Sequence, residues 1–308
     1  MGGMNDIVSI IIPSRNERVL PNTVVDLLKK AEGQIEVIVI LDGYWTVPSY
    51  FEPQFIELYK IMISDPRVIL VHRGESQGMR PGINTAVSIA KGDYIMKIDG
   101  HCLLDAGYDT KLKADCESNW VVIPRRKRLD PELWAIQDVG KPDIDYEYLS
   151  FPDNPADFGG PGFNGRVWTD RILERTDSKY DIDEDMSFQG SCWFMHKTYF
   201  HELDLMDYVN YGTFWSEAQE IGFKCFLSGG KVMINKKTWY AHLHKGRTYG
   251  RGYNINNRTI EEGTIFSNKW VHNNVWPKQT LKFHTMIERF WPVPGWPEDW
   301  EKQLNYKR

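Results

Sequence analysis

Asp99 and His101 stand on either side of a glycine, directly after an apolar stretch of the sequence. On an extended chain, side chains two residues apart point the same way, so a carboxylate and an imidazole could hold one cation. This oxygen and nitrogen pair suits Mn²⁺ or Mg²⁺ better than structural zinc, which favours sulfur-rich sites. The alternative is an ordinary Asp-Gly turn after a strand.

Two further pairs have a spacing that suits chemistry. Glu217 and Glu220 lie three residues apart on a predicted helix, so both can face one side and position a nucleophile or hold sugar hydroxyls. His242 and His244 alternate on a predicted extended segment, where one of them could complete a metal site. The alternatives are a solvated helix face for the glutamates and structural roles for the histidines.

Positive charge is concentrated in two places, although the chain carries a net charge of −5. Residues 231–260 contain seven Lys or Arg and no Asp or Glu, and the glycines at 246, 250 and 252 would let the backbone approach a diphosphate. A second basic cluster occupies residues 125–128. Both favour phosphate binding, and a solvated loop is the alternative for the second.

The first 125 residues must position these groups. Apolar segments at 8–12, 35–41, 68–71, 94–98 and 120–123 alternate with helical patterns at 19–30 and 82–90, which predicts βαβ units and a parallel sheet. Ligands of open α/β sheets bind at the carboxyl ends of the strands. Asn16, Asp42 and Asp99 all lie at or just past such ends.

The second half differs in composition. Residues 125–187 are rich in Pro, Asp, Gly and Tyr without a sustained period, which indicates an inserted loop region whose aromatic residues favour order. Strands are predicted at 188–195, 231–235 and 238–242, and helices at 214–227 and near 255–262. Nine of the 12 tryptophans follow residue 154.

Composition and motifs exclude several classes of protein. With 42% hydrophobic and 26% charged residues in 308, the chain is not disordered. The absence of P-loop, G-x-G-x-x-G, G-x-S-x-G and H-E-x-x-H motifs disfavours kinases, dehydrogenases, hydrolases and zinc proteases. Four cysteines without zinc spacing and the lack of a leader or an 18-residue apolar run predict a reduced, cytoplasmic protein without a membrane segment.

The order of the segments resembles the family 2-like glycosyltransferases of the GT-A fold. VSIIIPSRNE resembles their first strand and P-x-x-N-E turn, VIVILDG their second strand, and QGMRPGINTAVSIAKGDYIMKIDGH the helix and strand that lead to a D-x-D metal motif. The resemblance implies an α/β fold with a central, mostly parallel sheet flanked by helices. It also implies donor-binding roles for Pro13, Arg15, Asn16, Glu17, Asp42, Arg80, Lys245 and Tyr249.

The sequence has D-x-H where most of that family has D-x-D, and this variant resembles the polypeptide N-acetylgalactosaminyltransferases. GSCWFMHKTYFHEL, WSEAQEIGFKCFLSGG and WYAHLHK continue the resemblance downstream. It implies Mn²⁺ or Mg²⁺ held by Asp99, His101 and His242, a UDP-sugar donor, and catalytic roles for Glu217 and Glu220. Stereochemistry stays open, because Glu217 could act as a base in an inverting enzyme or orient the substrates in a retaining one.

The acceptor is the least specified part of the prediction. We expect a catalytic domain over residues 1–250, with a nucleotide-binding half (1–125), an insertion (125–187) and an acceptor-side half (188–250), followed by an extension at 251–308. Trp193 and Trp215 are the expected acceptor-binding residues. KIDGHC and FWPVPGWPEDW resemble bacteriophage glycosyltransferases, which implies hydroxymethylated pyrimidines in double-stranded DNA, in the host cytoplasm. The alternatives are protein Ser/Thr, a polysaccharide, or sugar-nucleotide binding without catalysis.

Overall fold

A computed structural model describes residues 6–43, 56–152, 162–250, 253 and 255–308 of the chain. The described strands are β1 (Val8–Ser14), β2 (Ile35–Leu41), β3 (Val68–His72), β4 (Tyr94–Ile98), β5 (Cys102–Leu104), β6 (Trp120–Asp130), β7 (Ala135–Ile136), β8 (Glu147–Leu149), β9 (Gly165–Val167), β10 (Ile182–Glu184), β11 (Cys192–His196) and β12 (Lys231–His242). The described helices are α1 (Leu20–Lys30), α2 (Ile56–Ser64), α3 (Met79–Ile89), α4 (Tyr108–Ala114), α5 (Thr169–Glu174), α6 (Lys197–Glu202), α7 (Tyr208–Tyr211), α8 (Glu217–Leu227), α9 (Gly246–Tyr249), α10 (Asn257–Asn268), α11 (Phe283–Phe290) and α12 (Trp300–Gln303).

One large sheet forms the centre of the fold. Its strands run in the order β10-β12-β6-β11-β4-β1-β2-β3, with β5 paired to β12 and β7 to β6. Pairing is parallel across β4, β1, β2 and β3, as predicted, and again between β6 and β12. Because β11, β10, β5 and β7 pair antiparallel, the complete sheet is mixed, with its parallel character concentrated in the first half of the chain.

Both faces of the sheet are covered, which explains the nearly continuous apolar runs of its first strands. Ile11 of β1 faces a core shared with α3 and α8, whereas Ile10 and Ile12 face the core that α1 and α4 cover. The burial of β1 on both faces fixes its position in the middle of the sheet. Asn16, Asp42 and Asp99 follow the carboxyl ends of β1, β2 and β4, which are neighbours in the sheet.

Several predicted elements have different bounds in the structure. The strand predicted at 120–123 continues to Asp130, and the two strands predicted at 231–242 are one strand, β12, with a bulge between Asn235 and Trp239. The described parts of residues 125–187 are ordered and contain β7 to β10 and α5, while 153–161 lie outside the described residues. The helix predicted at 214–227 begins only at Glu217.

The C-terminal segment packs into the same core as the sheet. Phe226 of α8 meets Phe290 of α11 with ring centroids 5.4 Å apart, and Trp270 stacks on Phe223 at 5.6 Å. Trp296 and Trp300 are buried, but Trp291 is 42% exposed. Apart from Trp291, these rings fill a core, which is the more ordinary use of a tryptophan-rich segment. Among the described helices, none combines the length and the apolar character that crossing a bilayer requires.

Candidate metal and donor site

Asp99, His101 and His242 converge at the carboxyl end of the sheet. Asp99 follows β4, and His242 ends β12, where it pairs with Cys102 of the antiparallel β5. The pairing places His242 beside His101, whose carbonyl accepts a hydrogen bond from the backbone of Leu243 at 3.2 Å. Residues 141 positions apart in the sequence therefore meet through the register of one short strand.

The three side chains aim their ligand atoms at one point. The Nε2 atoms of the two histidines lie 3.0 Å apart, and Oδ2 of Asp99 lies 3.4 Å from His242 Nε2 and 3.8 Å from His101 Nε2. Burial alone would raise the pKa of Asp99, but Lys97 and both histidines outweigh it and hold that pKa well below its usual range. Burial lowers the pKa of His242 to about 3, so the imidazole is neutral at pH 7 and able to ligate a metal.

The surroundings of the triad fit a divalent cation. His101 donates its Nδ1 hydrogen to Oε2 of Glu17 at 2.8 Å, which leaves Nε2 facing the triad. Lys245 Nζ lies 2.5 Å from the same Glu17 oxygen. Burial would raise the pKa of Glu17, but His101 and Lys245 outweigh it and lower that pKa. A ligand set of one carboxylate and two imidazoles, without a thiolate, fits a divalent cation such as Mn²⁺.

Glu217 lies close to the triad at the first position of α8, after Ser216 in a left-handed conformation (φ 58°). Its carboxylate is 8% exposed, and Trp193 Nε1 donates to Oε1 at 2.7 Å. Burial raises the pKa of Glu217. A Cβ at position 190 would lie 2.6 Å from Oε2, so the glycine there makes room for this carboxylate.

Lys97 is a candidate site residue that the sequence did not suggest. Its ammonium lies 2.8 Å from Oδ1 of Asp99, 3.3 Å from Oε2 of Glu217 and 2.5 Å from the carbonyl of Gly190. These carboxylates raise the pKa of Lys97 against the opposing effect of burial. A lysine among the apolar residues of a buried strand is the signal that could have revealed it.

Arg80 and Glu220 form a closed pair instead of facing a ligand. Both side chains are fully buried and joined by an ion pair, and Arg80 also donates to the carbonyl of Trp215 at 2.7 Å. Glu220 accepts from Lys224 at 2.7 Å and from the backbone of Asp207 at 3.0 Å. In this structure the pair fixes the segment that precedes α8. The donor-binding role of Arg80 and the catalytic role of Glu220 stay predictions.

Trp193 is fully buried in this structure, and its indole positions Glu217. Its acceptor-binding role stays a prediction. Trp215 is partly exposed, and its acceptor role stays a prediction.

Asp42 follows β2 and is held by the loop before α3. One oxygen accepts from Arg73 at 3.2 Å and the backbone of Gln77 at 2.9 Å, and the other accepts from Ser76 Oγ at 2.7 Å and the backbone of Gly78 at 2.9 Å. Burial would raise the pKa of Asp42, but these bonds outweigh it and lower that pKa. Its carboxylate therefore shapes the loop, and nucleobase contact stays a prediction.

The remaining predicted donor residues line the turn after β1 and the segment after β12. Arg15 donates to Ser76 Oγ at 2.8 Å and lies 5.4 Å from the ring centre of Tyr253. Asn16 has a left-handed backbone (φ 52°), and Pro13 is the penultimate residue of β1. Tyr249, in α9, is 44% exposed. Their donor roles stay predictions.

Several side chains of the two basic clusters form ion pairs within the fold. Arg125 lies 2.7 Å from Asp145, Arg126 lies 2.5 Å from Glu147, and Lys127 lies 2.6 Å from Asp143, so these three side chains are paired within the chain. Within 231–260, ion pairs join Lys237 to Asp115, Lys245 to Glu17 and Arg258 to Glu262. The side chains of residues 247 and 251 lie outside the described part of the chain.

The chain is similar to known proteins in sequence and in fold. The family model described as Glycosyl transferase family 2 matches residues 9–203. "Uncharacterized glycosyltransferase EpsJ" of Bacillus subtilis (strain 168) is 25% identical over 152 residues, 46% of this chain and 42% of EpsJ. "Glycosyltransferase GlyG" of Streptococcus pneumoniae serotype 4 is 29% identical over 97 residues, 31% of this chain and 30% of GlyG. The matches thus span less than half of either relative.

Two solved structures are similar in fold. GalNAc-T7, solved with UDP, GalNAc and Mn²⁺, aligns with a TM-score of 0.65 and 15% identity over 100% of this chain and 55% of that chain. TarS 1-349 of S. aureus, solved with UDP-GlcNAc, aligns with a TM-score of 0.56 and 12% identity over 91% of this chain and 69% of that chain. The predicted GT-A fold is confirmed.

Proposed function

Because the chain belongs to glycosyl transferase family 2 and is a glycosyltransferase, we propose that it transfers a sugar from a UDP-sugar to a hydroxyl acceptor with Mn²⁺ or Mg²⁺. The observation that carries this proposal is the convergence of Asp99, His101 and His242. Among the described residues they form the one cluster of His, Cys, Asp and Glu that could hold a metal ion, with ligand atoms within 4.8 Å of one another. Glu217 lies beside them.

A sugar nucleotide leaves negative charge on its diphosphate as the bond to the sugar breaks. When bound to the triad, the cation would neutralise that charge. Lys245 would add a further positive charge beside the diphosphate. Its present partner, Glu17, also accepts a hydrogen bond from His101. The structure of GalNAc-T7 with UDP, GalNAc and Mn²⁺ supports this choice of donor and metal.

Glu217 is the residue proposed to serve the acceptor. Trp193 and Lys97 hold one oxygen each, so the carboxylate has a fixed direction. Its raised pKa brings it closer to the range of a base that works near neutral pH. It would take the acceptor proton in an inverting reaction or orient the two substrates in a retaining one.

Hydroxymethylated DNA stays a candidate acceptor, beside protein Ser/Thr and polysaccharide. The internal pairing of Arg125, Arg126 and Lys127 removes one of the observations that favoured DNA, since these groups do not form a free phosphate-tracking surface. The net charge of −5 points the same way. The partly exposed Trp215 supports any flat acceptor equally.

The proposal is tested by measuring UDP release from a panel of UDP-sugars with and without Mn²⁺. We expect release to require the metal, to stop on chelation and to return on its readdition. His242→Ala abolishes release, whereas the matched control His244→Ala, which changes an exposed neighbour outside the triad, retains it. Equal activity of the two variants would contradict the metal assignment.

The acceptor is tested separately by transfer of labelled sugar. Hydroxymethylated duplex DNA is compared with unmodified duplex, a Ser/Thr peptide library and cell-wall polysaccharide. Label in the modified duplex alone supports the DNA acceptor. Label in peptide or polysaccharide, with none in the modified duplex, contradicts it.

A further inference from the structure

Lys97 occupies a position where packing alone calls for an apolar side chain. It lies in β4, whose five residues are all buried, and its partner across the antiparallel pair with β11 is Trp193. The side chain of Lys97 is 1% exposed. Because burying a charge is costly unless it is paired, a lysine here indicates that the positive charge itself has a use.

The register of two strands explains what this charge contacts. Lys97 and Asp99 are two residues apart and point to the same side, while Trp193 lies opposite Lys97. Trp193 holds Oε1 of Glu217, and Lys97 holds Oε2. The same ammonium holds Oδ1 of Asp99 and so leaves Oδ2 facing the two histidines.

A divalent cation in the triad would attract Glu217 as a further ligand. The carboxylates of Asp99 and Glu217 both lie within hydrogen-bonding reach of one nitrogen, and Mn²⁺ accepts oxygen ligands readily. Ligation would consume the carboxylate that the proposed function reserves for the acceptor. The positive charge between the two groups opposes this movement.

We propose that Lys97 is a positioning residue that keeps Glu217 out of the metal's ligand set and facing the acceptor. The inference rests on the proposed function, since it needs the metal centre at Asp99, His101 and His242. It concerns Glu217 rather than the centre itself. The ammonium acts as a spacer that attracts both carboxylates and repels the cation.

The test counts the water molecules on bound Mn²⁺ by water-proton relaxation and measures Mn²⁺ affinity by the paramagnetic resonance of free Mn²⁺. Lys97→Met should lose one coordinated water and bind Mn²⁺ at least tenfold more tightly, because Glu217 replaces that water. The double variant Lys97→Met/Glu217→Gln should regain the water. The removed charge by itself changes affinity but not the water count, so the count separates ligation from simple electrostatics.

Two controls keep the outcome decisive. Lys97→Arg retains the charge and should keep the original water count, and Lys97→Gln replaces Lys97→Met where the latter does not fold. Glu217→Gln alone should leave the count unchanged; a gained water there would show that Glu217 already ligates and would overturn the proposal. An unchanged count in Lys97→Met overturns the role of Lys97 while the metal centre stands. Failure of the unsubstituted chain to bind Mn²⁺ overturns both.

Discussion

Asp99 and Glu220 are both carboxylates that motifs place in the site, yet their surroundings differ. Asp99 is 26% exposed, and one of its oxygens faces two imidazoles across a gap that a cation could fill. Glu220 is fully buried, and its oxygens are taken by Arg80, Lys224 and the backbone of Asp207. The first arrangement presents three side chains that could ligate a cation, whereas the oxygens of the second are bound to other groups of the chain. We infer a role in the reaction for Asp99 and a structural role for Glu220.

Replacing Asp99 should have the largest effect on activity, because Asp99 belongs to the proposed metal site. Asp99→Asn is expected to lower kcat by about 1000-fold, because the neutral amide weakens the metal site that offsets leaving-group charge. The free energy of unfolding should change by less than about 2 kcal/mol, since Asp99 is partly exposed and Lys97 keeps its contacts with Glu217 and the carbonyl of Gly190. Steady-state UDP release and urea unfolding measure the two quantities. A large loss of stability with normal kcat would reverse the comparison.

Replacing Glu220 should mainly lower the stability of the folded chain. Glu220→Gln leaves Arg80 with a neutral partner in a buried site, and we expect a loss of about 3 kcal/mol from the free energy of unfolding. Glu262→Gln is the matched control, because its pair with Arg258 is exposed and should be worth less than about 1 kcal/mol. Urea unfolding at constant slope measures both. Equal stability of the two variants would show that the buried pair is not structural.

Asp42 is an intermediate case. It is predicted to bind the sugar nucleotide, but its carboxylate already accepts hydrogen bonds from groups of the chain. Asp42→Asn should cost about 2 kcal/mol near pH 7, because the carboxylate accepts from four donors. Its pKa is lower in the folded chain than the unfolded value of 3.8, so its contribution is present above pH 3.8 and is lost as the pH falls through the folded pKa. The stability difference between the two proteins should therefore shrink below pH 3.8 in urea titrations. A difference that grows on acidification would contradict the assignment.

Replacing Trp193 should have the smallest effect, and it tests how Glu217 is held beside the proposed metal site. Trp193→Phe keeps most of the buried ring but removes the hydrogen bond to Oε1 of Glu217, and kcat should fall about tenfold with the donor KM nearly unchanged. The matched control is Trp270→Phe, which removes a buried indole bond to Tyr211 away from the site and should leave kcat within about twofold. An equal kcat loss in both variants would assign Trp193 to packing alone.

The sequence by itself determined most of the local elements and was enough to propose candidate site residues. Apolar runs closed by Pro13, by Asp42-Gly43 and by Asp99-Gly100 predicted the strands that become β1, β2 and β4, because strands buried on both faces need apolar residues at nearly every position. The D-x-H spacing predicted Asp99 and His101, since residues two apart share a side of an extended chain. His242 came from the resemblance, because no local pattern links it to residues so far away.

Only the tertiary structure decided which charged groups remain open. Whether Arg80, Glu220 and the cluster at 125–128 face a ligand or one another depends on partners from distant segments, such as Asp145 and Glu147. The contacts of Lys97 form only because the fold places β4 beside β11 and the start of α8. A charge interacts with whatever the fold places within a few ångströms, so its role is a property of three-dimensional distance and burial rather than of sequence spacing.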